Sequence, residues 1–111
     1  MSVSAAFTPT GNTVTFLAAT TAPTPVQAVS GTGAGGNQYR IINAGTGIVF
    51  LGYGTTAATA SNNAVAVTSS QVSVPLLPST DEILTFVPNA YFTGITTTGT
   101  ANVYIIPGDG M

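Results

Sequence analysis

The chain has 111 residues, enough for one domain and too few for two. Arg40 is its only cation, Asp81, Glu82 and Asp109 are its only anions, and Lys, His and Cys are absent. Charged residues make up 4% of the sequence, against roughly a quarter in an ordinary soluble domain. Ser and Thr hydroxyls are plentiful, but no imidazole, thiol or lysine amine is present to activate them, so no catalytic, cofactor-binding or metal-binding residues are expected. A net charge of −2 with a single cation likewise rules against nucleic acid as a partner, since phosphate neutralisation needs several Lys or Arg. Hydrophobic residues reach 44%, normal for a chain that builds its own core. Mean hydropathy is +0.45, yet the apolar runs IVFL (48–51) and VPLL (74–77) fall far short of the ~20 residues a spanning helix needs, and no membrane association is expected. The N-terminus, MSVSAAFTPTGNTVTF, has neither a basic region nor a continuous apolar stretch, so no secretory leader is expected.

Abundant Thr, with frequent Gly, Pro and Asn punctuation, favours strands and turns over helices. In chain order the strand candidates are TVTFL (13–17), PVQAV (25–29), QYRIIN (38–43), GIVFLGY (47–53), AVAV (64–67), QVSVPLL (71–77), EILTFV (82–87), YFTGIT (91–96) and TANVYII (100–106). QYRIIN and GIVFLGY, separated by Ala-Gly-Thr-Gly, form the best hairpin signal, and the Thr98–Gly99 step suggests a tight turn between the last two strands. TTAATASNNAVAV (55–67) reads as a loop leading to a short strand, with a one- or two-turn helix as the alternative. Eight or so short strands at this spacing predict an all-β fold, a jelly-roll-like sandwich or small barrel, in one domain over 13–111. Residues 1–12 are set apart as an N-terminal arm. QYRIIN and GIVFLGY are apolar on both faces, so one face meets the core and the other meets a second layer or another subunit.

Two motifs invite a chemical reading. GTGAGG (31–36) satisfies the dinucleotide-binding glycine spacing through Gly31, Gly33 and Gly36. That reading requires a strand before it, a helix after it and an acid about 20 residues on. Here a strand follows and no acid occurs between Arg40 and Asp81, so the stretch reads as a loop. Asp81 and Glu82 are adjacent acids, but neighbours on a strand point to opposite faces. They read as solvated turn residues after Pro78-Ser79-Thr80, with a weak cation site or an intersubunit pair with Arg40 as alternatives. Arg40 itself is expected to make a single structural pair or to anchor an interface.

Monomeric β proteins guard their edge strands with Lys, inward-pointing charges, bulges or coverage. With no Lys, this chain is expected to have its edges covered by neighbouring subunits. The segments YRIINAGTGIVFLGYG (39–54) and ILTFVPNAYFTGITTTGTANVYIIPGDGM (83–111) resemble small virion proteins of tailed bacteriophages, in particular capsid decoration or cement proteins. The resemblance rests on R-I-x-N-x-G before an apolar strand and on the terminal A-x-V-Y-I-x-P-G-x-G pattern. It implies a non-enzymatic jelly-roll-like domain made in the host bacterial cytoplasm and placed on the outer capsid surface. Its partners would be the major capsid protein and copies of itself, as a dimer or trimer. Candidate contact residues are Val3 and Phe7 in the arm, Arg40, the aromatics Tyr53, Tyr91 and Phe92, and Ile106, the aromatics having a core role as the alternative. Two other readings stay open: a tail-fibre or receptor-binding module for host glycans, and a bacterial surface subunit, which would need an export signal.

Overall fold

The computed structural model describes residues 8–29, 38–66 and 73–109. The chain builds β1 (Thr8–Pro9), β2 (Val14–Ala18), β3 (Val26–Gln27), β4 (Gln38–Asn43), β5 (Val49–Gly54), α1 (Ala57–Asn63), β6 (Val74–Leu76), β7 (Thr80–Thr85), β8 (Tyr91–Ile95) and β9 (Ala101–Asp109). These strands form two antiparallel sheets, compatible with the predicted all-β sandwich. The first sheet runs β1-β9-β4-β7, with β2 also paired to β9, and the second runs β3-β8-β5-β6. The antiparallel pairs are nested: β2 with β9, β3 with β8, β4 with β7, and β5 with β6. Two further pairings, β4 with β9 and β5 with β8, join these ribbons side by side.

Alternation along the strands sets the core. Phe16 and Ala18 on β2, Tyr39 and Ile41 on β4, and Ala101, Val103 and Ile105 on β9 point inward from the first sheet. Val49 and Leu51 on β5, Leu76 on β6 and Phe92 on β8 meet them from the second. Fully burying each of these larger side chains contributes roughly 1.5–3 kcal/mol before conformational entropy is subtracted.

Several sequence expectations are corrected. β4 and β5 do not form a hairpin; they lie in different sheets, and the Ala44–Ile48 connection turns the corner between them. The corner is held by Asn43, which is fully buried. Its Nδ2 donates to Gly47 O at 2.9 Å and to Leu76 O at 3.0 Å, and its Oδ1 accepts from Gly45 N at 2.9 Å. One amide thus stitches the end of β4 to β6 of the other sheet. The turn around Gly99 (φ +70°) exists, but it too passes between sheets, from β8 to β9.

In the stretch 55–67 the alternative holds: Ala57–Asn63 is a two-turn helix, and the loop leading to a strand is corrected. Thr56 caps α1 by accepting from Thr59 N through its side chain at 3.2 Å, and small residues let the helix lie against β5. At Gly52 any β-carbon would collide with Ala60 O and Ala64 N, so glycine is what admits the helix there. Residues 64–66 are not strand, and Val67 lies outside the described residues, as does GTGAGG. Thr8–Pro9 of the proposed arm pairs with Gly108–Asp109 of β9, while Val3 and Phe7 lie outside the described residues.

At the far end of β4, Tyr39 fastens the loop between β7 and β8. Its hydroxyl donates to Val87 O at 2.6 Å and accepts from Ala90 N at 3.1 Å. Burial raises the phenol's pKa above its ordinary 10.0, opposed by the backbone hydrogen bonds of Ala90 and Asn89. Because the unfolded chain then releases this proton at lower pH than the folded one, the contribution is complete below pH 10.0 and declines as pH rises above it. Tyr39→Phe is expected to lower stability by ~1–3 kcal/mol in urea unfolding at neutral pH, because it strands Ala90 N. The difference from wild type should shrink at high pH. Asn43→Ala should lower stability by ~2 kcal/mol, since it leaves the buried Leu76 carbonyl and the part-buried Gly45 N–H and Gly47 carbonyl without this partner.

Candidate functional site

The outer face of an antiparallel sandwich is normally polar, because alternation sends apolar side chains inward. On the first sheet this rule holds only in part: Thr15, Asn102, Gln38 and Thr85 face outward, but so do apolar residues at the centre. Register places Tyr104, Ile42 and Asp81 in one row across β9, β4 and β7, and Ile106, Arg40 and Ile83 in the next. Leu17 on β2 adds to this face, 49% exposed, and Tyr104 is 37% exposed. Ile42, Ile83 and Ile106 are half-buried. The face therefore offers apolar side chains around one ion pair: Arg40 Nη2 lies 2.7 Å and Nε 2.8 Å from Asp81 Oδ2, with both side chains about half exposed.

Asp81 and Glu82 are thus residues of the outermost strand β7, not of the preceding turn, and the Arg40–Asp81 pair forms within the chain. Glu82 stands opposite inward-facing Ile41 and is still exposed, because β7 lies at the edge of the sheet. A charge on the core-facing side of an edge strand is a known barrier to strand addition. The edge strand β6 carries Pro75, which has no N–H to offer, and the edge strand β3 is two residues long. Two of the three acids and one proline thus stand on edge strands, where Lys usually does, while β2, paired only to β9, carries no such guard.

A second apolar surface lies on the outside of the second sheet. Ile48 and Leu77, 41% and 57% exposed, flank the Val49–Leu76 pair. Half-buried Phe50 and Ile95 and exposed Pro75 follow on neighbouring strands. The rest of this sheet face is covered: α1 lies over Gly52, and Thr93 Oγ1 donates to Pro23 O at 2.8 Å.

A third feature is a groove of about 600 Å³ between the end of β5, α1 and residues 85–88. Tyr53 and Phe86 stack along it, ring centroids 4.1 Å apart and planes 19° from parallel. Thr55, Thr59, Asn63 and Thr85 supply hydroxyl and amide groups, and no lining residue is charged. Behind the stack, Phe92 sits edge-on to Tyr39 at 4.9 Å and tilted to Phe86 at 5.6 Å.

The candidate residues therefore separate. Arg40 and Ile106 are neighbours on the outer face of the first sheet, Tyr53 is in the groove, and Tyr91 is half-buried on β8 opposite Gly54. Phe92 is fully buried and belongs to the core, so its ring has no surface to offer a partner. Sequence reading missed Leu17, Ile48, Leu77 and Tyr104 as exposed apolar residues. The second apolar phase of GIVFLGY was legible, but which phase faces outward, and that VYII has one too, is set only by the inward phase. At concentrations where the chain is monomeric, replacing Arg40 by Ala should change unfolding free energy by less than ~1 kcal/mol, because a pair exposed on the single chain is screened by solvent. A loss of several kcal/mol in thermal or urea unfolding would contradict that.

In comparisons with known proteins, no family model, curated protein or solved structure matches the chain.

Proposed function

We propose that this protein is a non-enzymatic assembly module, a capsid decoration or cement protein that bridges neighbouring subunits on the outer surface of a phage head. The observation that carries this reading is the presence of apolar side chains on the outer faces of both sheets. One such surface would serve a single contact; two allow the domain to touch two neighbours at once. Burying each exposed Leu or Ile at a contact adds roughly 1.5–3 kcal/mol before ordering losses. Thr, Ser and Asn around them lose less rotamer entropy on docking than Lys, Arg or Glu would. Nearly charge-free contacts also avoid most desolvation penalties.

The jelly-roll expectation is part of the proposal. A ribbon of nested pairs, β2 with β9 through β5 with β6, wrapped so that β9 meets β4 and β8 meets β5, is what supports it. Jelly rolls occur in viral capsid and lectin domains. A second reading, a virion module for host glycans, is favoured by one feature, the uncharged groove with its stacked Tyr53–Phe86 pair beside Thr and Asn groups.

Particles lacking the protein should break at lower temperature and under milder osmotic shock than complete ones. Equal resistance would sink the cement reading. Rebinding of purified protein to depleted particles should persist at about 1 M NaCl, since apolar contacts are not screened, and Leu77→Glu should weaken it. A copy number of a few per particle, with tyrosine fluorescence of the groove responding to neutral sugars, would favour the glycan reading instead.

A further inference from the structure

The outer face of the first sheet carries a cluster of apolar residues at its centre. Where outward positions ought to be Thr, Ser or Asn, which this chain has in quantity, the central rows carry Ile42, Ile83, Ile106 and Tyr104, with Leu17 at the β2 side. Unlike the second sheet, whose outer face is partly closed by α1, this face has no helix packed on it among the described residues. At ~4.8 Å between strands and ~3.3 Å per residue, four strands over five register positions cover roughly 300 Å². That is the scale of the apolar centre of a standard interface of ~800 Å² per partner, with a polar rim around it.

The charges on this face identify the occupant. Arg40 and Asp81 stand side by side with no third charge in their rows, so the patch is neutral and carries both halves of an ion pair. A partner of one charge sign would satisfy one group and repel the other. A second copy of this chain satisfies both, because a twofold axis in the plane of the interface, crossing the midpoint of the pair, sets Arg40 of each copy over Asp81 of the other. The same operation lays isoleucines and Tyr104 against their equivalents and leaves the Ile48–Leu77 surface of each copy facing outward.

We propose that two copies pack through the outer faces of their first sheets, with Arg40 and Asp81 sharing their ion pairs across the twofold axis. The inference builds on the reading of the chain as an assembly module by assigning one of the two apolar surfaces to self-association and leaving the other for the shell.

Sedimentation velocity on the full chain at micromolar concentration should give twice the 11.0 kDa chain mass. Tyr104→Glu should weaken the dimer by more than ~10-fold, because each copy then buries an uncompensated charge. Leu77→Glu should leave it intact, and circular dichroism should show both variants folded. Arg40→Asp and Asp81→Arg should each weaken self-association. Mixed in equal amounts they should form a heterodimer, since one interfacial pair is then reversed and the other is wild type. A monomeric wild-type chain, loss of the dimer with Leu77→Glu but not Tyr104→Glu, or no rescue on mixing would each overturn the proposal. A dimer of this kind that fails to stabilise particles would overturn the cement reading alone. A monomer that still coats particles would overturn the dimer alone.

Discussion

The buried amide of Asn43 is the constraint on which the arrangement of the two sheets depends. A sandwich assembled by apolar burial alone specifies that two faces meet and leaves their relative position loosely defined. Asn43 removes that freedom, because its three hydrogen bonds reach the corner backbone and a strand of the opposite sheet, and they form together only in one alignment. Tyr39, four residues earlier on the same strand, applies the same logic at the other end, where its hydroxyl both donates to and accepts from the loop before β8. Between them lies Ile41, buried without polar atoms. β4 thus carries its specificity at its two ends and its hydrophobic contribution in the middle.

That position explains how the outer surfaces acquire their character. With β4 paired on both sides, to β7 and to β9, its outward residues Arg40 and Ile42 are centred on a sheet four strands wide. Long-range packing fixes the inward phase, and the outward phase is then free to carry whatever the protein's contacts require. Here it carries isoleucine and tyrosine.

Strand positions were largely legible from the sequence, and their partnerships were not. QYRIIN is strand from its first residue to its last, and the inward phase Tyr39, Ile41, Asn43 follows from period-2 alternation. What local pattern cannot reveal is that the chain changes sheet at Asn43. A Gly-rich link between two apolar strands reads the same whether the strands pair or part, and the deciding bonds from Asn43 reach Leu76, 33 residues away. The helix at Ala57–Asn63 was obscured for a related reason: its footing is a pair of glycines in β5, visible only when the strand and helix are stacked. For the candidate site, the sequence reading mixed core and surface aromatics. Phe92 and Tyr53 are register partners on adjacent strands; one is sealed in and the other opens on the groove, a distinction made by depth at the end of the sandwich.

The scarcity of charge has one more consequence, for resistance to proteolysis. Trypsin-like proteases cut after Lys or Arg, and this chain gives them a single peptide bond, the one following Arg40. That bond lies inside β4, whose backbone is paired to β7 on one side and β9 on the other. A protease must bind its substrate as a free extended strand, so cleavage there has to wait for both pairings to open, which amounts to unfolding the first sheet. The one side chain such an enzyme could recognise is on the surface, while the bond it would cut is locked in the sheet.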